Sequence, residues 1–152
     1  MAYTSESARM QLLDELAQAV DQLGIALAAL GEAYDEMDER TADTLEGELF
    51  RPVQRAYGRA RRTYSEFAQR HGLSSREFEE NSPGLHSGDP RVYVERAIEA
   101  NERADAVIAE MQDSLLPIEV GDRELRDGLT ETRELISAVP AHGRQLLRTI
   151  GR

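Results

Sequence analysis

The stretch Leu13-Asp-Glu-Leu16-Ala-Gln-Ala-Val20-Asp-Gln-Leu23-Gly-Ile-Ala-Leu27-Ala-Ala-Leu30-Gly-Glu-Ala-Tyr34-Asp-Glu-Met37 sets large apolar residues at alternating spacings of three and four. That rhythm is the apolar stripe of an amphipathic α-helix, whose successive turns bring such positions onto one face. Between Gly24 and Gly31 the stretch is small and apolar nearly all the way round. A helix of that kind needs cover from more than one direction, so this segment either lies under large neighbours in a helical core or meets a second copy of the chain.

Outward from this stretch, Thr4 or Ser5 can cap the helix, and the turn-forming run Thr41-Ala-Asp43-Thr44 ends it near residue 40, giving a rod roughly 50 Å long. Three more stripes follow. Asp43 and Glu46 have capping-box spacing before a second helix over 43–71 with stripe Phe50, Val53, Tyr57, Ala60, Tyr64, Phe67 and His71. Four of the eight aromatic residues lie there, and Pro52 either kinks this helix or marks where its straight part starts. Gly72 fits the residue just past its end. Ser74 and Glu77 repeat the box spacing ahead of a short helix over 75–80, and Asn81 to Gly88 reads as a loop. Asp89-Pro90 opens a third helix over 90–116 with stripe Val94, Ala97, Asn101, Ala104, Ile108, Met111 and Leu115. Asp122 caps a fourth over 123–150, with stripe Leu125, Leu129, Thr132, Ile136, Val139, Gly143, Leu146 and Ile150, bent at Pro140. The sequence therefore predicts an all-α fold: one domain over 1–152, an antiparallel up-down-up-down four-helix bundle with one short extra helix between helices two and three.

Composition narrows the function. The chain has 152 residues and is 40% apolar, enough to bury roughly 70% of the surface its unfolded form exposes. It has no cysteine, so disulfides and thiolate chemistry are absent, which fits a reducing, cytoplasmic setting. All 18 basic residues are arginine, and without lysine there is no Schiff-base or phosphate-loop lysine. A net charge of −11 speaks against nucleic acid and anionic membrane as partners, since both require phosphate to be neutralised. No apolar run is long enough to span a bilayer.

Chemistry-bearing constellations are scarce. His71, His86 and His142 have neither Glu-x-x-His nor i, i+4 spacing, so no metal is expected there. The carboxylate runs Glu32, Asp35, Glu36, Asp38, Glu39 and Glu95, Glu99, Glu102, Asp105 could invite magnesium, but their register reads as solvated acidic faces. Gly84-Leu-His-Ser-Gly88 lacks the order and preceding strand of a nucleophile elbow. Neither a catalytic residue nor a cofactor is expected.

Two features stand out. Arg51, Arg55, Arg59 and Arg62 form one outward stripe on helix two, in a segment without acids, while Glu32 to Glu48 holds eight acids and one arginine. Either the two runs exchange surface ion pairs across a helical hairpin, or the arginine forks form a docking face for an anion or an acidic partner. Tyr57, Tyr64, Asn101 and Thr132 place polar groups within the apolar stripes, where they could form a hydrogen-bonded layer or line a pocket. The reading that fits best is a non-catalytic helical interaction or assembly module acting through a helix face. Its partner is a second copy, as a homodimer, or another helical protein. The alternative is a bundle binding a small anionic ligand, or a metal-dependent enzyme on a phosphorylated substrate.

Overall fold

The structure, a computed structural model, describes residues 2–150, with side chains from residue 5 onward. It is all-helical, with no strand among the described residues. The elements are α1 (Ala2–Asp35), α2 (Glu39–Leu45), a π-helical turn (Glu46–Phe50), α3 (Arg51–Arg70), α4 (Pro90–Asp113), α5 (Leu116–Glu119), α6 (Arg123–Ile136) and α7 (Val139–Ile150). One apolar cluster runs through the four long segments and the short helices between them.

α1 is the centre of that cluster. Leu12, Leu13, Leu16, Ala19, Val20, Leu23, Ala26, Leu30 and Ala33 are all essentially buried, a face too wide for one neighbour. α4 covers the larger part of it and α3 the next largest, with α2, the π-turn and α5 touching it as well. Along the helix the buried face rotates, from Leu13, Leu16 and Val20 in the first half to Ala26, Ala29, Leu30 and Ala33 in the second. A 3.6-residue helix drifts in this way against a seven-residue repeat. The rotation corrects the stripe expected from spacing, for Leu27 is only half-buried and Tyr34 is 42% exposed, and Met37 falls beyond the end of α1.

The contacts also correct the expected alternation of helix directions. Arg59 meets Glu131 and Arg70 meets Asp122, so α3 and α6 run in opposite senses. Asn101 reaches Ile136, Asp105 meets Arg133 and Gln112 meets Thr130, so α4 also opposes α6. α3 and α4 therefore point the same way, and the chain must climb back between them. It does so through 71–89, which lies along α1 and α3. Arg76 bonds Asp21 and donates its backbone N–H to the Tyr64 hydroxyl, Phe78 packs edge-on against Tyr64, and Arg96 holds the Pro83 carbonyl. No helix forms at 75–80: the box spacing of Ser74 and Glu77 has no apolar stripe behind it, and Phe78 is drawn onto Tyr64 instead.

Local chemistry explains the remaining boundaries. Ser5 lies inside α1 rather than ahead of it, and the Thr4 side chain lies outside the described residues. α1 stops at Asp35 because Asp38 opens a new helix, its carboxylate accepting from the Thr41 backbone N–H at 2.9 Å and its hydroxyl at 3.1 Å. Asp43 thus sits within α2 and caps nothing. The π-turn precedes Pro52, which has no N–H to give and whose ring crowds the carbonyl four residues back; widening the helix there relieves both, and α3 starts at Arg51. Asp89 and Asp122 cap α4 and α6 as their spacing demands, and Gly72 takes φ +63° just beyond α3. α4 ends at Asp113, earlier than expected, and Pro117 falls in α5. The fourth segment is two helices, α6 and α7, parted at Ser137–Ala138. Pro140 cannot donate to Ile136, whose carbonyl instead accepts from buried Asn101 Nδ2 at 3.4 Å.

The rotation of α1 yields a paired expectation. Leu23→Asp buries an unpaired charge between α3 and α4 and should abolish cooperative folding, whereas Leu27→Asp can turn its carboxylate to solvent and should cost no more than about 2 kcal/mol. Urea denaturation followed by circular dichroism checks both; equal destabilisation of the two variants would contradict the rotated face.

Candidate functional site

Where the buried face of α1 turns away, a groove of about 790 Å³ opens beside it. Gly24, Leu27, Ala28 and Gly31 form its α1 wall, and Phe50 and Tyr57, brought round by the π-turn, form the opposite one. Glu80, Asn81 and Pro83 of the returning connection close it off. The Asn81 side-chain amide lies against Gly24, where a Cβ would force it to move aside. Glu32, Asp35, Glu46 and Glu80 line this apolar-floored groove, and no basic side chain does.

The ion pairs imagined between the acidic run and the arginine stripe do not form. Among the described residues, no carboxylate from Glu32 to Glu48 lies within ion-pair distance of an arginine. The reason is rotational: α3 turns Tyr57 toward α1, and the arginines at 51, 55 and 62 fall roughly a third of a turn or more away, in solvent. Arg59 looks the other way, bonding Glu131 on α6 at 2.7 Å and the Thr63 hydroxyl at 2.9 Å. Arg62 lies 3.9 Å from Glu66, a loose pair exposed on both sides. Arg51 and Arg55 are exposed and take part in no ion pair among the described residues, and Arg61 stacks over the Tyr57 ring at 5.2 Å.

The polar residues of the stripes do not form one layer. Tyr64, Asn101 and Thr132 are buried and Tyr57 is half-buried on the groove wall. Tyr64 holds the Arg76 backbone, Asn101 serves the Ile136 carbonyl, and Thr132 bonds back to Gly128 within α6 at 2.8 Å. Each satisfies a local backbone need, and none of the four bonds another.

Three members of the second carboxylate run are taken up by arginines, Glu99 by Arg96 and Arg103, Glu102 by Arg144 and Asp105 by Arg133, while exposed Glu95 has no ion-pair partner among the described residues. Among the described residues no group of three His, Asp or Glu is placed to hold a metal ion. His86 is exposed in the connection, His142 is half-buried in α7, and His71 lies 3.0 Å from Asp122. Asp122 ties three elements together: its carboxylate accepts two bonds from Arg70, one from the Leu125 backbone at 2.8 Å, and faces His71. Partial burial pushes its pKa up, but Arg70, the Leu125 N–H and His71 outweigh that and hold it at about 2.

Spacing alone singled out neither Tyr34, Glu46, Glu80 nor Asn81 as groove residues. The available signal was the mismatch between an uninterrupted acidic run and the small apolar segment that precedes it. Among the described residues, no helix is long and apolar enough to cross a membrane. No family model, curated protein or solved structure matches the chain, so the functional reading rests on this geometry.

Because the folded pKa of Asp122 lies below its unfolded value near 3.9, its contribution is complete above that value and fades as pH falls toward 2. Asp122→Ala should lower stability by about 2 kcal/mol at neutral pH and flatten the acid limb of the stability curve between pH 4 and about 2. Chemical denaturation across that range checks this, and an acid limb as steep in the variant as in wild type would contradict the assignment.

Proposed function

We propose that the chain is a single four-helix-bundle domain, with helix directions up-down-down-up, that works as a non-catalytic interaction or assembly module in the cytoplasm. The groove beside α1 is its contact surface. One observation supports this above the others: an apolar floor of Leu27, Ala28, Gly31 and Phe50 is ringed by Glu32, Asp35, Glu46 and Glu80, none of which has a cationic partner among the described residues. The occupant that suits such a surface carries cationic heads on apolar stems, and a helix displaying arginines meets that description. A small anion or a phosphorylated substrate would meet only carboxylates in this groove, so the geometry gives that alternative no support.

The test is titration with an amphipathic arginine- and leucine-bearing peptide, followed by amide chemical shifts. Shifts should centre on Leu27, Ala28, Gly31, Glu46 and Tyr57, weaken with salt, and shrink several-fold in affinity for Glu32→Gln/Asp35→Gln. Shifts scattered over the surface, or equal binding of an acidic peptide, would overturn the reading.

A further inference from the structure

The acidic groove has a basic counterpart in this chain, the outer ridge of α3, where Arg51 and Arg55 are exposed with no ion-pair partner among the described residues and Arg62 has only a distant one. Phe50 of the π-turn and Tyr57 of α3 wall the groove on one side, and the ridge lies a third of a turn or more round α3 from Tyr57. Gly58, exposed between Arg55 and Arg62, has open space where a Cβ would project, so a second helix can approach the backbone closely there.

Taking the groove as a contact surface, we infer that its occupant is the arginine ridge of a second copy of this chain, each copy placing Arg51 and Arg55 in the other's groove. Three features of the chain match. The ridge supplies guanidinium forks, which pair bidentately with carboxylates such as Glu32, Asp35 and Glu46. The aliphatic stems of those arginines suit a floor of Leu27, Ala28 and Gly31. Tyr34, 42% exposed at the groove, offers a ring for a guanidinium to lie on, as Tyr57 already does for Arg61 in the same chain. Direct apposition of the two α1 faces is disfavoured by the same residues, since it would set carboxylates against carboxylates. Because ridge and groove flank one helix, the contact can be made twice about a two-fold axis and so closes at two copies.

Reciprocity gives a sharp test by charge exchange. One variant, Arg51→Glu/Arg55→Glu, makes the ridge acidic; the other, Glu32→Arg/Asp35→Arg, makes the groove basic. All four positions are exposed, so the helical circular dichroism and melting curve of each variant should match wild type. Sedimentation velocity and native mass spectrometry should find wild type dimeric and each variant alone at least about tenfold weaker in self-association. An equimolar mixture should form a dimer of mixed mass, in which one contact is wild type and the other is the exchanged pair. That mixed dimer carries the same total charge as the wild-type dimer, so relief of general repulsion does not account for its recovery. Dimers that persist in both single variants, or a mixture that stays monomeric, would overturn the inference. A wild-type monomer whose groove still takes up the arginine-bearing peptide would overturn the self-pairing alone and leave the groove as a contact surface. A monomer that takes up no peptide would remove both.

Discussion

The apolar middle of α1 is the constraint from which the rest of the structure follows. A helix that presents Val20, Leu23, Ala26, Ala29, Leu30 and Ala33 over so wide an arc cannot be dissolved in water on all but one narrow side. It has to be wrapped, and the chain wraps it with α4, α3 and the returning segment 71–89. The many alanines let those neighbours come close to the helix. The position of the connection follows too. Gly24 leaves room for the Asn81 side chain directly against α1 as the chain passes on its way back.

Wrapping stops short at one place, and there the charge distribution changes character. Elsewhere four arginines meet carboxylates across helices: Arg59 with Glu131, Arg70 with Asp122, Arg133 with Asp105, Arg144 with Glu102. Each such pair stitches α6 or α7 to α3 or α4, modestly in energy but with consequence for register. Around the second half of α1 and the start of α2 the acids have no such answer, and the arginines nearest in sequence face outward from α3. An acidic concavity beside α1 thus accompanies a basic ridge on the outer side of α3.

Much of this was legible in the sequence because burial and period are tightly coupled. Val94, Ala97, Asn101, Ala104, Ile108 and Met111 are buried as their spacing requires, as are Leu125, Leu129, Thr132 and Ile136. Caps were legible wherever an acid stands directly before a strong helix start, as at Asp89 and Asp122. What spacing could not supply was rotation about the helix axis. Met37 continues the three-four rhythm past the end of α1, yet Asp38 and Thr41 end that helix through a hydrogen bond that periodicity does not report. Likewise the acidic run and the arginine stripe are neighbours in sequence, and only the angle between Tyr57 and Arg55 on α3 decides that they do not meet. The directions of α3 and α4 depended on the path of 71–89, whose anchors, Tyr64 with Arg76 and Gly24 with Asn81, join residues far apart in the chain.

The central claim is that the unpaired carboxylates beside α1 form a contact surface rather than a solvated face. Carbodiimide labelling of carboxylates, read by mass spectrometry at low and high protein concentration, tests it most directly. The account predicts that Glu32, Asp35 and Glu46 lose reactivity as concentration rises, while Glu95 and Glu110 on α4 stay fully reactive. Uniform reactivity at every concentration would contradict it.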